Sequence, residues 1–443
     1  DAVAALGSKA IAALTSAQVT ALTTAQVAAF TTGQISSLSS AAIASLGTDD
    51  LATLSSAEIA IISSKSIGGL GTAAIGALTT AQTEGLTSAQ IAALNTAQLG
   101  ALTTAQTAAL TTVQVGALTS AQITSLSTAN LAVMTTGQIA ALGSAAVGAL
   151  SSAQFTAMTT AQVEALTPAQ VAALGSEDLA ALGTDDIALF STLDVAAISS
   201  KAIAGLSTAS VAAFTTSQVA ALTSVQLGAM SSAQIGAMTT AQVGALTSTQ
   251  IAGLGSAAIS ALGADDLATF ATDEIAALSS KALAGLSTAG VAGLTTAQTS
   301  AFTSTQIAAL TSAQVGALTT GSVAALSTGQ VAALSSTQAA ALGDTQVQAL
   351  TTTQVSALST KAITGLSAHQ IDTLGANYTG LTTTQYGVMS STQIAAIMSG
   401  DIDVMTTAMI SSISAKGISG LTTAALASFD TAQIGALTSA QVA

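Results

Sequence analysis

Residue types that perform catalysis or bind metals are scarce in this sequence. The chain of 443 residues has no Cys, no Trp and a single His, His369, and its six basic residues are all Lys. Thiol nucleophiles and Cys zinc sites are therefore excluded, and a His-centred triad could be built only around His369. Gln370 and Asp372 stand next to it, a setting typical of a surface or packing histidine. We expect neither an enzyme nor a bound cofactor.

The charge and hydropathy of the chain exclude further classes of partner. Half of the residues are hydrophobic, only 6% are charged and the net charge is -14. Because phosphate binding needs clustered Lys and Arg, we expect no nucleic-acid partner. The high hydrophobicity argues against a disordered chain. Ser, Thr or Gln interrupts every apolar run after a few residues, so we also expect no transmembrane segment.

An internal repeat determines the secondary structure of the chain. An eight-residue unit, Leu-Thr-Thr-Ala-Gln-Val-Ala-Ala, recurs with few departures, and we call it the octad and number its positions one to eight. Its first position falls at Leu6 and at every eighth residue to Leu374. One seven-residue unit follows, from Leu374 to Leu381, and the count of eight then resumes to Leu437. The sequence predicts one continuous octad-repeat solenoid over residues 1–443, with a phase break at 374–381.

The octad at 166–173 carries the signals of a short capped helix. Thr167 is the predicted N-cap, and Pro168 stands at the first helical position, where a helix readily accepts proline. Gln170 completes a capping box with Thr167, and Leu166 and Val171 form a hydrophobic staple around the cap. The only Pro of the chain therefore stands where this register requires it. Each octad is predicted to form about one and a half turns of helix.

A period of eight also limits how these helices can be arranged. In one long helix the apolar stripe would advance by about 80° per octad and spread around the cylinder. In a flat strand the first and sixth positions would point to opposite faces. Because helices this short are unstable alone, they must stack. We therefore predict an all-α solenoid of very short capped helices, one per octad, with a β-solenoid as the alternative. The period gives neither the number of octads per turn nor the handedness.

Charged residues occur in a few octads at regular offsets. All six Lys occupy position four, and acidic pairs precede three of them by two octads. Three interpretations remain open: carboxylates favoured near helix N-termini, lateral contacts that set the register between coils or chains, and a calcium site built from the Asp pairs. The first interpretation, the favourable interaction of carboxylates with the helix dipole, does not explain why Lys follows the acidic pairs at a fixed distance of two octads. The candidate lateral contacts are Asp49, Asp50, Lys65, Asp185, Asp186, Lys201, Asp265, Asp266, Lys281, Lys361 and Lys416.

Two other departures from the octad consensus have structural interpretations. Several octads have Gly in place of the cap Thr, which is an acceptable N-cap. Tyr378 and Tyr386 cluster at the phase break, where a missing residue should alter the stacking locally. We expect a bend or a boundary there.

The run Ala-Leu-Thr-Thr-Ala-Gln at 101–106, repeated with variations along the whole chain, is similar to the low-complexity octad arrays of very large bacterial surface or secreted proteins. These proteins are often labelled adhesins or haem-utilisation proteins. The resemblance implies an exported protein, extracellular or at the cell surface, with a structural role. It implies no haem site here, because one His and eight Met offer no evident axial pair.

These observations predict a structural extracellular repeat protein whose partner is itself. We expect a homopolymer or lateral bundle that forms a filament, a sheath or a surface layer, because sparsely charged surfaces tend to associate. The alternative is an adhesin stalk or binding module that presents a tip outside this sequence. The chain begins inside an octad at Asp1 and ends inside another at Ala443. We therefore expect either a longer parent chain or end-to-end joining of subunits.

Overall fold

Short helices form the regular secondary structure of the chain in a computed structural model, which describes residues 3–397 and 405–443. The helices are four to seven residues long, follow one another octad by octad, and are joined by extended residues at the caps. Neither of these two segments contains a β-strand. The predicted all-α solenoid of capped helices is therefore confirmed, and the β-solenoid alternative is excluded.

The chain divides into two compact units, Asp1–Leu222 and Thr223–Ala443. The first unit contains one 3₁₀ helix, Ala202–Gly205, and these α-helices: Ser8–Ala12, Ser16–Thr20, Thr24–Val27, Thr32–Ser37, Ser40–Ala44, Thr48–Ala52, Ser56–Ile61, Ser64–Ile67, Thr72–Ala77, Thr80–Gly85, Ser88–Ala93, Thr96–Gly100, Thr104–Ala109, Thr112–Gly116, Ser120–Ile123, Thr128–Ala132, Thr136–Ala141, Ser144–Val147, Ser152–Thr156, Thr160–Glu164, Pro168–Val171, Ser176–Ala181, Thr184–Ala188, Thr192–Ala197, Thr208–Ala213 and Thr216–Ala221.

The second unit is built in the same way. Its described residues form two 3₁₀ helices, Ala282–Gly285 and Gly375–Gly380, and these α-helices: Ser224–Ala229, Ser232–Gly236, Thr240–Val243, Ser248–Ala252, Ser256–Ile259, Ala264–Ala268, Thr272–Ala277, Thr288–Gly293, Thr296–Ser300, Ser304–Ala309, Ser312–Gly316, Thr320–Ala324, Thr328–Ala332, Ser336–Ala340, Asp344–Gln348, Thr352–Ala357, Thr360–Gly365, Ala368–Thr373, Thr383–Val388, Ser391–Ile397, Thr407–Ser412, Ala415–Ile418, Thr423–Ala427, Thr431–Gly435 and Ser439–Val442.

The predicted capping box is present in the octad at 166–173. The Thr167 hydroxyl accepts from the Gln170 backbone N–H at 3.4 Å, and Gln170 Oε1 accepts from the Thr167 N–H at 2.8 Å. Pro168 begins the helix. Leu166 and Val171 are both buried, as a hydrophobic staple requires. The cap therefore satisfies two backbone donors that the first helical turn would otherwise leave unpaired.

Glycine N-caps are also confirmed. Nine octads have Gly in place of the cap Thr and begin their helices with an extended Gly. These caps are Gly7, Gly47, Gly71, Gly143, Gly175, Gly183, Gly255, Gly263 and Gly343.

The helices of each unit stack with a spacing of three octads. Helix Thr80–Gly85 packs against Ser56–Ile61 on one side and Thr104–Ala109 on the other, and each of these neighbours is three octads away along the chain. Three consecutive octads therefore make one coil, and each octad forms one side of it. The side chains at positions one and six of the octads form the buried core inside the coils. The energy that short helices lack on their own is thus supplied by apolar burial between coils.

The seven-residue unit at 374–381 is accommodated by a change of helix type. Residues Gly375–Gly380 form a 3₁₀ helix instead of the α-helix of most octads. Gly375 has a φ of 52°, which glycine adopts without a steric penalty. The tighter helix rises further per residue and spans the unit with one residue fewer.

Candidate functional site

The side-chain amides at octad position five join each coil to the preceding one. Gln106 is buried, and its Nε2 donates to the carbonyl oxygens of Ile75 and Leu78, each at 2.8 Å. Its Oε1 accepts from the backbone N–H of Thr103 at 2.8 Å. One Gln side chain therefore satisfies the first turn of its own helix and the last carbonyls of a helix in the coil before it.

This arrangement repeats as a ladder along both units, and we call it the glutamine ladder. Its members donate to the carbonyls 28 and 31 residues earlier, at first and sixth octad positions. They are Gln34, Gln82, Gln90, Gln98, Gln106, Gln114, Gln122, Gln138, Gln154, Gln162, Gln170, Gln298, Gln306, Gln314, Gln330, Gln338, Gln346, Gln354, Gln370 and Gln441.

The ladder continues through the phase break. Gln385 donates to the carbonyls of Val355 and Leu358, which are 30 and 27 residues earlier instead of 31 and 28. Gln393 shows the same shortened offsets. The seven-residue unit therefore removes one residue from the coil and preserves the hydrogen bonds between coils.

Position five lacks Gln in three runs of five consecutive octads, and we call these runs, 38–77, 174–213 and 254–293, the Gln-free bands. Each contains five octads, which is more than one coil. Position five in them is held by these residues: Ala42, Asp50, Glu58, Ser66 and Ala74; Asp178, Asp186, Asp194, Ala202 and Ser210; Ala258, Asp266, Glu274, Ala282 and Gly290. The acidic pairs and three of the Lys predicted as lateral contacts all lie in these bands. The charges were predicted as contacts from the sequence, whereas the loss of Gln beside them was missed.

The acids at position five accept the capping hydrogen bond that Gln accepts, but they do not replace its donors. Asp50 Oδ2 accepts from the Gly47 N–H at 3.1 Å, and Asp266 and Asp186 make the equivalent contacts at 3.0 Å and 3.3 Å. An ionised carboxylate has no hydrogen to donate. These acids therefore cap their own helices and provide no donor to the coil before them.

Burial perturbs the acidity of two of these carboxyl groups. Desolvation raises the pKa of Asp178, against an opposing hydrogen bond from the Gly175 N–H and with a further increase from the charge of Glu177. Desolvation likewise raises the pKa of Glu274, opposed by the Ala271 N–H and increased by Asp273. Partial burial against a neighbouring coil therefore disfavours the ionised form of both groups.

The predicted acid and Lys partners are not brought together within the chain. Asp49 lies on helix Thr48–Ala52, which packs against Thr72–Ala77, whereas Lys65 lies on Ser64–Ile67, which packs against Ser40–Ala44 and Ser88–Ala93. The two octads thus occupy different sides of the coil. Within 3–397 and 405–443 the single ion pair joins two other residues, His369 Nε2 and Asp344 Oδ2, at 3.2 Å on the surface.

All six Lys side chains are exposed, as are the fourth-position acids Asp49, Asp185 and Asp265. The fourth position of the octad faces solvent, and it also holds three of the four most exposed large apolar residues among 3–397 and 405–443. Val113, Leu193 and Val225 are 71%, 69% and 68% exposed. Variation in residue type at this outward position changes the surface and leaves the core untouched.

Five of the six Lys octads, those of Lys65, Lys201, Lys281, Lys361 and Lys416, share a close contact between coils at a Gly four residues after the Lys. A Cβ on Gly205, four residues after Lys201, would overlap the carbonyl oxygen of Ser176, and a Cβ on Gly285, four residues after Lys281, would overlap that of Ser256. Both octads differ from the prediction that their Lys lies inside an α-helix. Lys201 and Lys281 directly precede the 3₁₀ helices Ala202–Gly205 and Ala282–Gly285.

Tyr386 is the largest fully buried side chain among the described residues and stands where other octads have Val or Ile. No described residue hydrogen-bonds its hydroxyl. Burial, and to a lesser extent Tyr378, raise its pKa well above the ordinary value. Both tyrosines are buried, and they fill the core beside the shortened unit.

Residues 3–397 and 405–443 contain neither a cluster of metal-binding side chains nor a helix that could span a membrane. No group of three or more His, Cys, Asp or Glu side chains comes together there in an arrangement that could hold a metal ion. No described helix has the length and apolar character needed to cross a membrane.

Comparison with known proteins identifies the repeat. A family model described as the ALTTAQ repeat matches the chain over segments that together cover more than half of it. A comparison with curated proteins finds no match. The segments matched by the family model are 2–32, 59–96, 84–112, 91–128, 112–144, 131–168, 160–192, 187–224, 224–256, 300–328, 315–352 and 323–360.

Proposed function

Because the chain belongs to the ALTTAQ repeat family, we propose that it is an extracellular structural protein that assembles with copies of itself into a filament, a sheath or a surface layer. The observation that carries this proposal is that different octad positions serve different contacts: position five bonds within the chain, and position four faces solvent. The buried amide of Gln106 uses its acceptor and its donors inside the stack of coils. The side chains at the outward position four therefore remain available for contacts with another chain.

The outward position supports lateral assembly in two ways. It carries mostly Ala, Thr and Gly, so most of this surface is small and uncharged and offers little electrostatic repulsion to a second copy. It also carries isolated Lys, Asp, Val and Leu residues at defined levels. Asp49 and Lys65 lie on different sides of the coil, so a neighbouring chain is the partner that we propose for their charges. Paired charges of opposite sign would set the register between chains.

Electron microscopy of the purified chain tests the proposal. We expect long uniform fibres or sheets in negative stain. A variant with all six Lys changed to Gln should lose regular lateral packing, and the matched variant with six Lys→Arg should retain it because the positive charges remain. Unchanged packing in the Gln variant would exclude the charged octads as contacts. Monomeric chains at every concentration would exclude self-assembly.

The second candidate function is a stalk that holds a binding module away from the cell. The regular coil favours it, because every three octads add one equivalent coil and extend the stack by the same step. Single short rods that do not associate in the micrographs would support the stalk and contradict the filament.

A further inference from the structure

Asp194 differs from the other acids at position five because it is buried. Its side chain is 7% exposed. Its Oδ2 accepts from the Ser191 backbone N–H at 2.9 Å and from the Ser191 hydroxyl at 2.6 Å. Its Oδ1 is buried, and no described residue provides it with a hydrogen-bond partner. A buried carboxylate oxygen without a partner is costly, so this atom requires an explanation.

The repeat itself indicates what Oδ1 faces. Asn130 has a side chain of the same length at the same octad position, is equally buried, and donates its Nδ2 to the carbonyl oxygen of Leu102, 28 residues earlier, at 2.8 Å. The residue at the same offset before Asp194 is Leu166. No described residue donates a hydrogen bond to the Leu166 carbonyl. Asp194 thus places an acceptor where the repeat normally places a donor.

The offsets of the glutamine ladder indicate a second carbonyl group beside that of Leu166. In the ladder, Gln162 Nε2 donates to the carbonyls of both Leu131 and Met134, 31 and 28 residues earlier. The corresponding carbonyls for Asp194 are those of Val163 and Leu166. By analogy with Asn130 and Gln162, these offsets place the two carbonyl oxygens on the side of the coil that Asp194 faces, where no side-chain donor is provided.

We propose that Asp194 Oδ1 and the carbonyl oxygens of Leu166 and Val163 hold an oxygen-ligated cation of the Ca²⁺ type. Such a cation takes carboxylate and main-chain carbonyl ligands in flexible geometry and completes its shell with water. Bound there, it joins helix Thr192–Ala197 to the preceding coil in place of the missing amide. The cation would make one side of the Gln-free band 174–213 dependent on ion supply.

The neighbouring acids of the same coil provide a contrast. Asp178 and Asp186 also stand at position five, but both are partly exposed. Water reaches these carboxyl groups, so they do not require a cation. The site is therefore assigned to Asp194 alone.

Hydrogen exchange of the full chain tests the site, with Ca²⁺ alone as the probe. At a Ca²⁺ concentration of ten times the dissociation constant, amides in 159–166 and 191–198 should exchange about tenfold more slowly than in chelator. Asp194→Asn should abolish the response and remain protected without Ca²⁺, because its amide can donate to Leu166 as Asn130 does to Leu102. Asp185→Asn, which removes an exposed carboxylate nearby, is the matched control and should keep the response.

Two outcomes would overturn the proposal. One is the absence of any Ca²⁺ effect on the wild-type segments, including the case in which acidification alone protects them, which would show that a proton bridges the two oxygens. The other is a Ca²⁺ effect that survives in Asp194→Asn, which would place the cation elsewhere.

Discussion

The side-chain amide of Gln106 donates to the carbonyl oxygen of Leu78, 28 residues earlier, at 2.8 Å. The same amide group accepts from Thr103, three residues earlier. A local cap and a contact between coils are therefore made by one side chain. This explains how very short helices remain ordered. One side chain caps the start of its own helix and also hydrogen-bonds the last carbonyl oxygens of a helix in the preceding coil.

Removing only the donors of this amide should weaken the junction between coils. In Gln106→Glu the acceptor remains for the Thr103 N–H, but the carbonyls of Ile75 and Leu78 lose their donor and face a carboxylate. We expect a loss of about 2 to 4 kcal/mol, from two lost hydrogen bonds and two buried carbonyls left without partners. Hydrogen exchange of helices Thr72–Ala77 and Thr104–Ala109 measures it.

Gln18→Glu is the matched control for that variant. Gln18 is exposed and caps Thr15 through Oε1 at 2.9 Å, and its Nε2 donates to no described carbonyl. The substitution should change local stability by less than about 0.5 kcal/mol. Equal losses in Gln18→Glu and Gln106→Glu would contradict the role of the ladder.

The cap hydroxyl should contribute separately. Thr103 Oγ1 accepts from the Gln106 N–H at 3.2 Å, and Thr103→Ala removes this bond at a cost of about 1 kcal/mol. Thr104→Ala, one residue later at an exposed position, should be close to neutral. The exchange rates of amides in helix Thr104–Ala109 distinguish the two variants. If Thr104→Ala proved the more damaging, the assignment of the cap would be wrong.

A methyl group at a close contact between coils should be strongly destabilising. In Gly205→Ala the new Cβ would overlap the backbone oxygen of Ser176, so the coils must separate, and we expect a loss of about 1 to 3 kcal/mol. At Gly33 a Cβ would meet nothing within 4 Å. Because Ala favours the helix, Gly33→Ala should stabilise it by about 0.5 to 1 kcal/mol. Thermal unfolding followed by circular dichroism compares the two, and a tolerated Gly205→Ala would contradict the close packing.

Stability should fall between acidic and neutral pH at two octads. The pKa values of Asp178 and Glu274 are raised above their ordinary values of 3.8 and 4.5, so the folded chain favours their protonated forms. Their contribution to stability is complete below those ordinary values and is lost as the pH rises through the folded pKa. Hydrogen exchange of 174–181 and 270–277, corrected for intrinsic rates at each pH, measures this change.

Amide variants provide the control for the pH effect. Asp178→Asn and Glu274→Gln should flatten the pH dependence of their own segments. Asp49→Asn removes an exposed carboxylate of equal charge and should leave both profiles unchanged. The account would be wrong if the segments became less stable on acidification.

Much of the local structure follows from the sequence, because capping acts over three residues. Thr167, Pro168 and Gln170 fix the start of a helix wherever the rest of the chain lies. The number of octads per coil cannot be predicted from the sequence in this way, because an eight-residue period is compatible with any number of octads per turn. The carbonyl partner of Gln106 belongs to a different coil, at Leu78, and only the folded coil reveals it.

One sequence signal for the ladder was nevertheless available. A capping box accepts Glu as readily as Gln, yet most octads contain Gln. This preference indicates that the donors of the amide are used as well as its acceptor. The replacement of Gln by Ala, Ser, Gly or an acid in the Gln-free bands is the complementary signal. The buried position of Asp194 depends on the packing of its own coil, and neither signal predicts it.

The central claim is that three octads form one coil, and spin labels on paired cysteines test it most directly. The chain has no Cys, so labels attach only where Cys is introduced at exposed position-four residues. Ala105→Cys with Ala129→Cys, three octads apart, should show strong dipolar broadening in the electron paramagnetic resonance spectrum, because helices Thr104–Ala109 and Thr128–Ala132 are stacked. Ala105→Cys with Ala121→Cys, two octads apart, should show much weaker broadening. The reverse order would contradict a coil of three octads.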